Sequence, residues 1–439
     1  METIINPPRN QWEELCSRPL YDNSSLEKEV RDIIDKVRKD GDMALREFSR
    51  RFDSAETDLF EVSEEVIAHS ESQLDIRLKD AMKLAARNIG TFHLAQKPVD
   101  ININTMPGIR CSQRSLPIDR VGLYIPGGTA PLFSTVLMLG IPAKIAGCRE
   151  VILCTPPGKT KGIHPAILYA ASLTGIKKVF SVGGAQAIAA MTYGTESIPR
   201  VDKIFGPGNQ WVTMAKQLAA SGGMAIDLPA GPSEVAIVAD GSVPASFVAA
   251  DLLSQAEHGA DSQVLLATID KNIAGPVLIE LERLLNRLPR KEVTRKALDF
   301  CRIVVFDDYN TLMDFINTYA PEHLILATEN YEELSDKVLN AGSVFLGNYT
   351  PESAGDYASG TNHTLPTNGF ARAWSGVSTG SFMKKITFQE ITPEGLESLG
   401  PTVEFMASAE ELEAHRQAVH VRLDYLNRKK NARWDQSIH

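Results

Sequence analysis

The sequence predicts an α/β protein with two parallel β-sheets, preceded by a helical N-terminal segment and followed by a helical C-terminal tail. From residue 121 onward, short runs rich in β-branched residues alternate with helical stretches, which is the pattern of βαβ units and hence of parallel strands. These runs fall into two series of similar rhythm. The length of 439 residues also exceeds what one hydrophobic core normally serves, so two to three domains are expected.

The first hundred residues are helical in pattern. Ser24 and Glu27 form a capping box at the start of a helix whose apolar stripe stops at Gly41. A second helix is predicted over residues 43–48 and a third over residues 74–92, where apolar side chains recur at helical spacing. We interpret these helices as structural elements.

Nine strands are predicted after this region. The first series comprises residues 121–125, 151–154, 179–182 and 203–205, and the second comprises residues 235–238, 264–268, 303–306, 324–327 and 344–346. After about residue 370 the strand pattern fades, and from residue 401 the chain is typical of a helix rich in Glu, Arg and Ala. We expect such a tail to dock on another surface.

Charge and cysteine content exclude several classes of protein. With 55 acidic and 45 basic residues the net charge is −10, so the chain lacks the basic field that a nucleic-acid partner requires. The cysteines are odd in number and lack C-x-x-C spacing, which indicates free thiols in a reducing compartment.

No membrane partner is expected either. The most apolar segment, residues 132–146, contains Gly140, Pro142 and Lys144 and falls short of the roughly 18 consecutive apolar residues that cross a bilayer. The first fifteen residues lack the pattern of a secretory signal. The sequence therefore predicts a cytoplasmic protein, or a plastid protein if the source is a plant and a transit peptide has been removed.

Glycine-rich turns follow three strands of the first series: Gly127-Gly128, Gly183-Gly184 and Gly206-Pro207-Gly208-Asn209. Ordinary strand-to-helix turns also use glycine, but three such turns in one sheet favour a nucleotide ligand. The last turn begins like a dinucleotide fingerprint yet has Trp211 where the third glycine should fall. The domains are therefore predicted to be Rossmann-like but incomplete.

Polar clusters precede strands of the second series, at residues 231–234, 255–258 and 321–323. In a parallel sheet these clusters lie at the amino ends of the strands, whereas open α/β sheets usually bind ligands at the carboxyl ends. A site built there would have to face another domain. Gln255 and His258 end an apolar helical run and are three residues apart, so we expect them to share a helix face as donors to a metal or polar substrate.

Two further segments carry candidate chemistry. Glu322 and His323 offer a carboxylate and an imidazole for proton transfer, although such a pair in a loop is also commonly just solvated. Asp356 lies in residues 352–363, a long stretch of small and polar residues that we interpret as a functional or disordered loop. His415 in the tail is by its pattern an exposed helical histidine.

Together these segments resemble the histidinol dehydrogenase family over nearly the whole chain. The resemblance is carried in order by seven motifs: residues 121–128, 182–187, 205–209, 226–234, 254–258, 320–323 and the Asp356 loop. It implies oxidation of L-histidinol through L-histidinal to L-histidine, the last steps of L-histidine biosynthesis. It also implies two NAD per reaction and one zinc ion per subunit.

The resemblance assigns roles to individual residues. The implied zinc ligands are Gln255, His258, Asp356 and His415. His323 is the implied base, and Glu322 activates water for the aldehyde step. The implied substrate contacts are Ser233, Gln255, His258, His323, Asp356, Glu410 and His415, and the implied NAD contacts are Tyr124, Gln186 and Asn209.

The resemblance also implies a homodimer in which each tail supplies Glu410 and His415 to the partner's active site. Glu411 remains a rival for Glu410, and Glu257 either orients an imidazole or closes its helix. The implied domains are an N-terminal segment (1–20), a metal and substrate domain (21–123 with 234–377), an NAD domain (124–233) and the tail (378–439).

Two alternatives remain open. The chain could be a related zinc and NAD dehydrogenase of another amino alcohol or hydroxy compound. It could also be a non-catalytic metal-binding homologue.

Overall fold

The computed structural model describes residues 2–18, 24–53, 59–127, 130–158, 162–228 and 231–436. The strands are β1 (Glu2–Ile5), β2 (Ile101–Met106), β3 (Ile109–Pro117), β4 (Arg120–Tyr124), β5 (Glu150–Thr155), β6 (Lys178–Ser181), β7 (Lys203–Phe205), β8 (Ala225–Ile226), β9 (Glu234–Ala239), β10 (Gln263–Thr268), β11 (Arg302–Val305), β12 (His323–Ala327), β13 (Ser343–Leu346) and β14 (Met383–Ile391).

The helices are α1 (Trp12–Leu15), α2 (Ser24–Phe52), α3 (Glu64–His69), α4 (Ile76–Ala95), α5 (Phe133–Ala146), α6 (Pro165–Thr174), α7 (Gly184–Tyr193), α8 (Gln210–Ser221), α9 (Ala245–Ala256), α10 (Ala274–Leu285), α11 (Lys291–Leu298), α12 (Tyr309–Tyr319), α13 (Tyr331–Ser335), α14 (Glu352–Tyr357), α15 (Pro393–Ala409) and α16 (Glu413–Gln436). Across the described ranges, no helix combines the length and apolar character needed to cross a membrane.

Two parallel sheets share one strand order. The first sheet runs β6-β5-β4-β7-β8, and the second runs β11-β10-β9-β12-β13 with β1 added beside β11. In both sheets the chain starts at the central strand, adds two strands on one side, and then crosses back to add two strands on the other side. This is the strand order of a Rossmann fold that lacks its sixth strand, so the predicted α/β class with two similar sheets is confirmed.

The central strands are buried on both faces because helices cover the sheets. Every residue of β9, β10 and β12 is buried. Alternate residues of β9 pack into different cores, with Val235 and Ile237 on one face and Ala236 and Val238 on the other. Continuous apolar runs of this kind are typical of buried parallel strands, which explains why all nine predicted strands are found within a residue or so of their predicted positions.

Five strands were not predicted. β1 is a short edge strand, so the N-terminal segment is not purely helical. β8 has only two residues, and β2, β3 and β14 form a separate sheet with little burial. These strands lack the buried apolar runs by which the others were recognised.

The predicted break at Gly41 is confirmed, because the backbone there is non-helical, with a φ of 51°, and α2 consists of two helical segments that meet at this kink. The interpretation of the segment around Asp356 as a loop needs correction, because residues 352–357 form α14. The predicted domain boundary between residues 123 and 124 falls inside β4, a strand of the first sheet.

The described chain divides into two compact units. One contains residues 1–97 and 117–382, including both parallel sheets, and the other contains residues 98–116 and 383–439. The second unit consists of the sheet β14-β3-β2 and the paired helices α15 and α16. The turn residue Gly128 and the last three residues of the tail lie outside the described residues.

Candidate active site

Two adjacent strands of the second sheet begin at residues predicted to carry chemistry. Glu234 is the first residue of β9, His323 is the first residue of β12, and His323 lies opposite Val235 in the parallel register. The cluster therefore lies at the amino ends of these strands, as the sequence indicated. Most open α/β sheets use the carboxyl ends instead.

The chain turns sharply just before β12. Helix α12 ends at Tyr319 and is capped by Ala320, which is fully buried and has a left-handed φ of 53°. An alanine keeps that conformation only where its surroundings enforce it. After this turn both Glu322 and His323 are buried, and 3.6 Å separates Glu322 Oε2 from His323 Nδ1. The pair is therefore not a solvated loop pair.

The Glu322 carboxylate is held by two donors at one oxygen. Its Oε2 accepts from the backbone N–H of Glu234 at 2.9 Å and from Gln255 Nε2 at 3.3 Å. Burial raises the pKa of Glu322 to about 8, against the opposing effects of the His323 imidazole and the Glu234 N–H. A carboxyl group with a pKa near neutrality is suited to proton transfer.

The His323 imidazole is oriented by the backbone of the neighbouring strand. Its Nδ1 lies 3.1 Å from the carbonyl oxygen of Glu234, and because a carbonyl only accepts, Nδ1 must carry a hydrogen. This leaves Nε2, 3.5 Å from Asp356 Oδ1, as the atom that can exchange a proton. Burial lowers the pKa of His323, but the carboxylates of Glu322, Glu352 and Asp356 outweigh it and raise the pKa to about 10.

Buried oxygen atoms without partners mark a place for a cation. Among the described residues, Gln255 Oε1 and Asp356 Oδ1 are buried and accept no hydrogen bond. Burial raises the pKa of Asp356, but the nearby His323 imidazole outweighs this and lowers it. Unsatisfied amide and carboxylate oxygens beside imidazoles are costly alone and form a donor set that fits Zn²⁺.

His258 is not positioned as predicted. Helix α9 ends at Ala256, so His258 follows the helix instead of sharing its face with Gln255. Its backbone N–H donates to the Gln255 carbonyl at 3.2 Å, and its Nδ1 lies 3.3 Å from Ser233 Oγ. Its ring is solvent-accessible, yet crowding by protein atoms still lowers its pKa. Glu257 caps α9 through its backbone, which favours the helix-closing role.

Sequence reasoning missed Glu352. This residue is 1% exposed, its Oε1 lies 3.9 Å from His323 Nδ1, and its Oε2 has no hydrogen-bond partner among the described residues. Ligand atoms of His323, Glu352 and Asp356 all lie within 4.8 Å of one another, so these residues are a second candidate cation set that shares Asp356. The signal was the four-residue spacing of Glu352 and Asp356, which was hidden because the small and polar residues around them were interpreted as a loop.

Glu410 and His415 belong to the second unit. Glu410 is the C-cap residue after α15, Glu411 follows with a left-handed φ of 58°, and His415 is in the first turn of α16. All three side chains are exposed. They lie at the junction of the two helices, so the predicted helical tail is interrupted at these residues.

The three predicted NAD contacts gather at the carboxyl edge of the first sheet. Tyr124 ends β4, and its hydroxyl oxygen accepts from the Gly184 N–H at 3.0 Å. Gln186 is in the first turn of α7, and Asn209 caps α8 after β7. β4 and β7 are neighbours at the point where the strand order reverses, which is the place where open α/β sheets bind ligands.

Comparisons with known proteins agree on one family. The sequence profile of histidinol dehydrogenase matches residues 16–423 of this chain. The histidinol dehydrogenase of Bacteroides thetaiotaomicron is 56% identical over 97% of this chain and 100% of its own length. That of Shigella sonnei is 52% identical over 95% of this chain and 96% of its own length. The crystal structure of the Elizabethkingia anophelis histidinol dehydrogenase superposes with a TM-score of 0.95 at 53% identity, covering 97% of this chain and 99% of that one.

Proposed function

The chain belongs to the histidinol dehydrogenase family and is thus an NAD-dependent oxidoreductase of histidine biosynthesis, and we propose a division of labour among its residues for the oxidation of L-histidinol to L-histidine. The alcohol loses a hydride to one NAD and a proton to a base, which gives L-histidinal. Water then adds to the aldehyde. The hydrated aldehyde loses a second hydride to a second NAD, and the carboxylate forms with release of further protons.

His323 is the proposed base for both hydride transfers. The Glu234 carbonyl holds the hydrogen on Nδ1, so Nε2 of the neutral imidazole takes the hydroxyl proton. A cation held by Asp356 would favour that neutral form, because it would offset the carboxylates that raise the pKa of His323. Glu322 is the proposed activator of the water, because its Oε2 is occupied by two donors and its other oxygen remains for a water proton. None of the cysteines takes part, and all five are free thiols.

Gln255, His258 and Asp356 would hold one zinc ion in each subunit, with His415 of the partner subunit as the fourth ligand. When bound, zinc would supply a cationic anchor that orients the imidazole and amine of the substrate. The unpartnered Gln255 Oε1 and Asp356 Oδ1 support this assignment, since a buried acceptor without a donor is costly. Ser233, which contacts His258, would bind the substrate beside that anchor.

NAD would bind at the carboxyl edge of the first sheet, within residues 124–233, against Tyr124, Gln186 and Asn209. The amino ends of α7 and α8 offer N–H groups suited to a pyrophosphate. The second sheet, within residues 234–377, would form the core of the metal and substrate domain. The homodimer would complete each site with Glu410 and His415 of the partner subunit, and the compartment would be the cytoplasm, in keeping with the free cysteines.

The observation that carries the proposal is the contact of an oriented imidazole and a buried carboxyl group beside unpartnered oxygen donors. The test is the amount of NADH formed per L-histidinol consumed, before and after chelation of metal and after re-addition of zinc. We expect two NADH per histidinol, loss on chelation and recovery with zinc. A chelated enzyme of full activity would contradict the metal assignment, and one NADH per histidinol would contradict the second oxidation.

The same assay separates the two rivals. A related dehydrogenase would turn over another amino alcohol faster than histidinol. A non-catalytic homologue would bind zinc and form no NADH with any of them.

A further inference from the structure

A buried ion pair lies directly beneath the turn that follows β7. Lys216 of α8 and Asp227, just after β8, are in contact, with side chains only 5% and 1% exposed. Both residues follow strands of the first parallel sheet, and neither is among the residues assigned to the reaction. Because burial of such a pair usually contributes little net stability, its presence needs another reason.

Both ends of this ion pair hold the same residue. Lys216 Nζ donates to the Gly206 carbonyl at 2.9 Å, and Asp227 Oδ2 accepts from the Gly206 N–H at 2.7 Å. Asp227 Oδ1 also accepts from the N–H of Leu228 at 2.8 Å. The N–H and the C=O of one turn residue are therefore fixed by charge-assisted hydrogen bonds, which are stronger than neutral ones.

Gly206 has a conformation that requires this support. Its φ is 124°, and a Cβ there would lie 2.0 Å from the carbonyl oxygen of Tyr124. The turn thus passes against the end of β4 with no room for a side chain. It then leads to Asn209, whose side-chain oxygen accepts from the N–H groups of Trp211 and Val212 at the start of α8.

We propose that the Lys216–Asp227 pair positions residues of the NAD site. The pair fixes the backbone of Gly206 and thereby holds Asn209 and the amino end of α8 against Tyr124, at the point where the strand order of the sheet reverses. The pair itself does not touch the dinucleotide. A flexible turn would lose conformational entropy when NAD binds, whereas a turn fixed by the ion pair has already lost that entropy on folding. This inference rests on the proposed place of NAD.

The experiment measures NADH affinity directly, by fluorescence titration of the zinc-loaded dimer without histidinol. Lys216→Met leaves the Gly206 carbonyl and Asp227 without their cation, and we expect the NADH dissociation constant to rise at least about tenfold. The KM for NAD should rise in parallel, while the KM for histidinol, the zinc content and kcat at saturating NAD stay within about twofold to threefold of the wild-type values. Lys216→Arg should recover part of the affinity.

Two further variants keep the outcome interpretable. Lys216→Met combined with Asp227→Leu replaces the pair by apolar side chains of similar volume, so this variant should fold and still bind NADH weakly. Lys178→Met breaks the exposed pair with Glu150 in the same sheet and should leave NADH binding unchanged. Unchanged NADH affinity in the folded double variant would overturn the inference, as would equal loss of histidinol and NAD binding. Failure of the wild type to oxidise histidinol would refute the proposed function instead, since NADH binding is measured separately.

Discussion

Replacing Glu322 by glutamine separates the position of this side chain from its ability to accept a proton. Both hydrogen bonds to Glu322 converge on Oε2, from the Glu234 N–H at 2.9 Å and from Gln255 Nε2 at 3.3 Å. A glutamine oxygen in the same place accepts both. We therefore expect Glu322→Gln to fold with a free energy of unfolding within about 1 kcal/mol of the wild type.

The matching alanine variant shows the cost of losing those contacts. Glu322→Ala leaves two buried donors unpaired, each worth about 1–3 kcal/mol, so it should destabilise the protein by roughly 2–6 kcal/mol. Thermal unfolding followed by circular dichroism distinguishes the two variants. Only the glutamine variant is then suitable for kinetics.

The catalytic effect of Glu322→Gln should fall on the aldehyde step. Loss of a positioned base costs about 10²–10⁴ in rate, or roughly 3–5 kcal/mol of activation free energy. We expect that loss in NADH formation from histidinal, and a much smaller loss in the first turnover from histidinol, which depends on His323. Stopped-flow measurement of NADH with each substrate is the assay, and Glu292→Gln, an exposed acid of α11, is the control. Equal losses in the two steps would refute the division of labour.

Three other changes have distinct expected outcomes. Asp356→Ala removes an unpartnered buried oxygen and should weaken zinc binding at least about tenfold, which is measured as metal content after dialysis. Full retention of zinc would show that Asp356 is not a zinc ligand. A 1:1 mixture of His415→Ala and His323→Asn chains should recover about a quarter of wild-type activity, because half the dimers are mixed and each contains one intact site; no recovery in confirmed mixed dimers would mean that His415 does not act across the dimer. Gly206→Ala should lower the free energy of unfolding by roughly 2–4 kcal/mol, since the new Cβ meets the Tyr124 carbonyl, whereas Gly275→Ala in α10, with open space around it, should be neutral or slightly stabilising in the same melts.

The sequence was sufficient for the architecture because the central strands are buried on both faces. Buried parallel strands need continuous apolar runs, and such runs are visible without any knowledge of pairing. Exposed strands such as Met383–Ile391 carry no comparable signal, so they were missed. The break at Gly41 was visible in the sequence, because the apolar stripe of the first helix stops at this glycine.

Chemistry was predictable where residue types alone suggest it. Glu322, His323, Gln255 and Asp356 were candidates from their motifs, and the structure places them in one buried cluster. Glu352 was not a candidate, because its importance depends on a helix turn that brings it within 3.9 Å of an imidazole more than twenty residues away in sequence. Spacing along the chain cannot show that contact.

The sequence by itself thus determined the fold class and the family, and it predicted candidate residues for proton exchange and cation binding. Only the tertiary structure decided how those residues are held. The orientation of His323 comes from the backbone carbonyl of Glu234, and the Gly206 turn is locked by Lys216 and Asp227. Backbone groups are the same at every residue, so which carbonyl meets which side chain depends on strand order and register and is not visible in residue type.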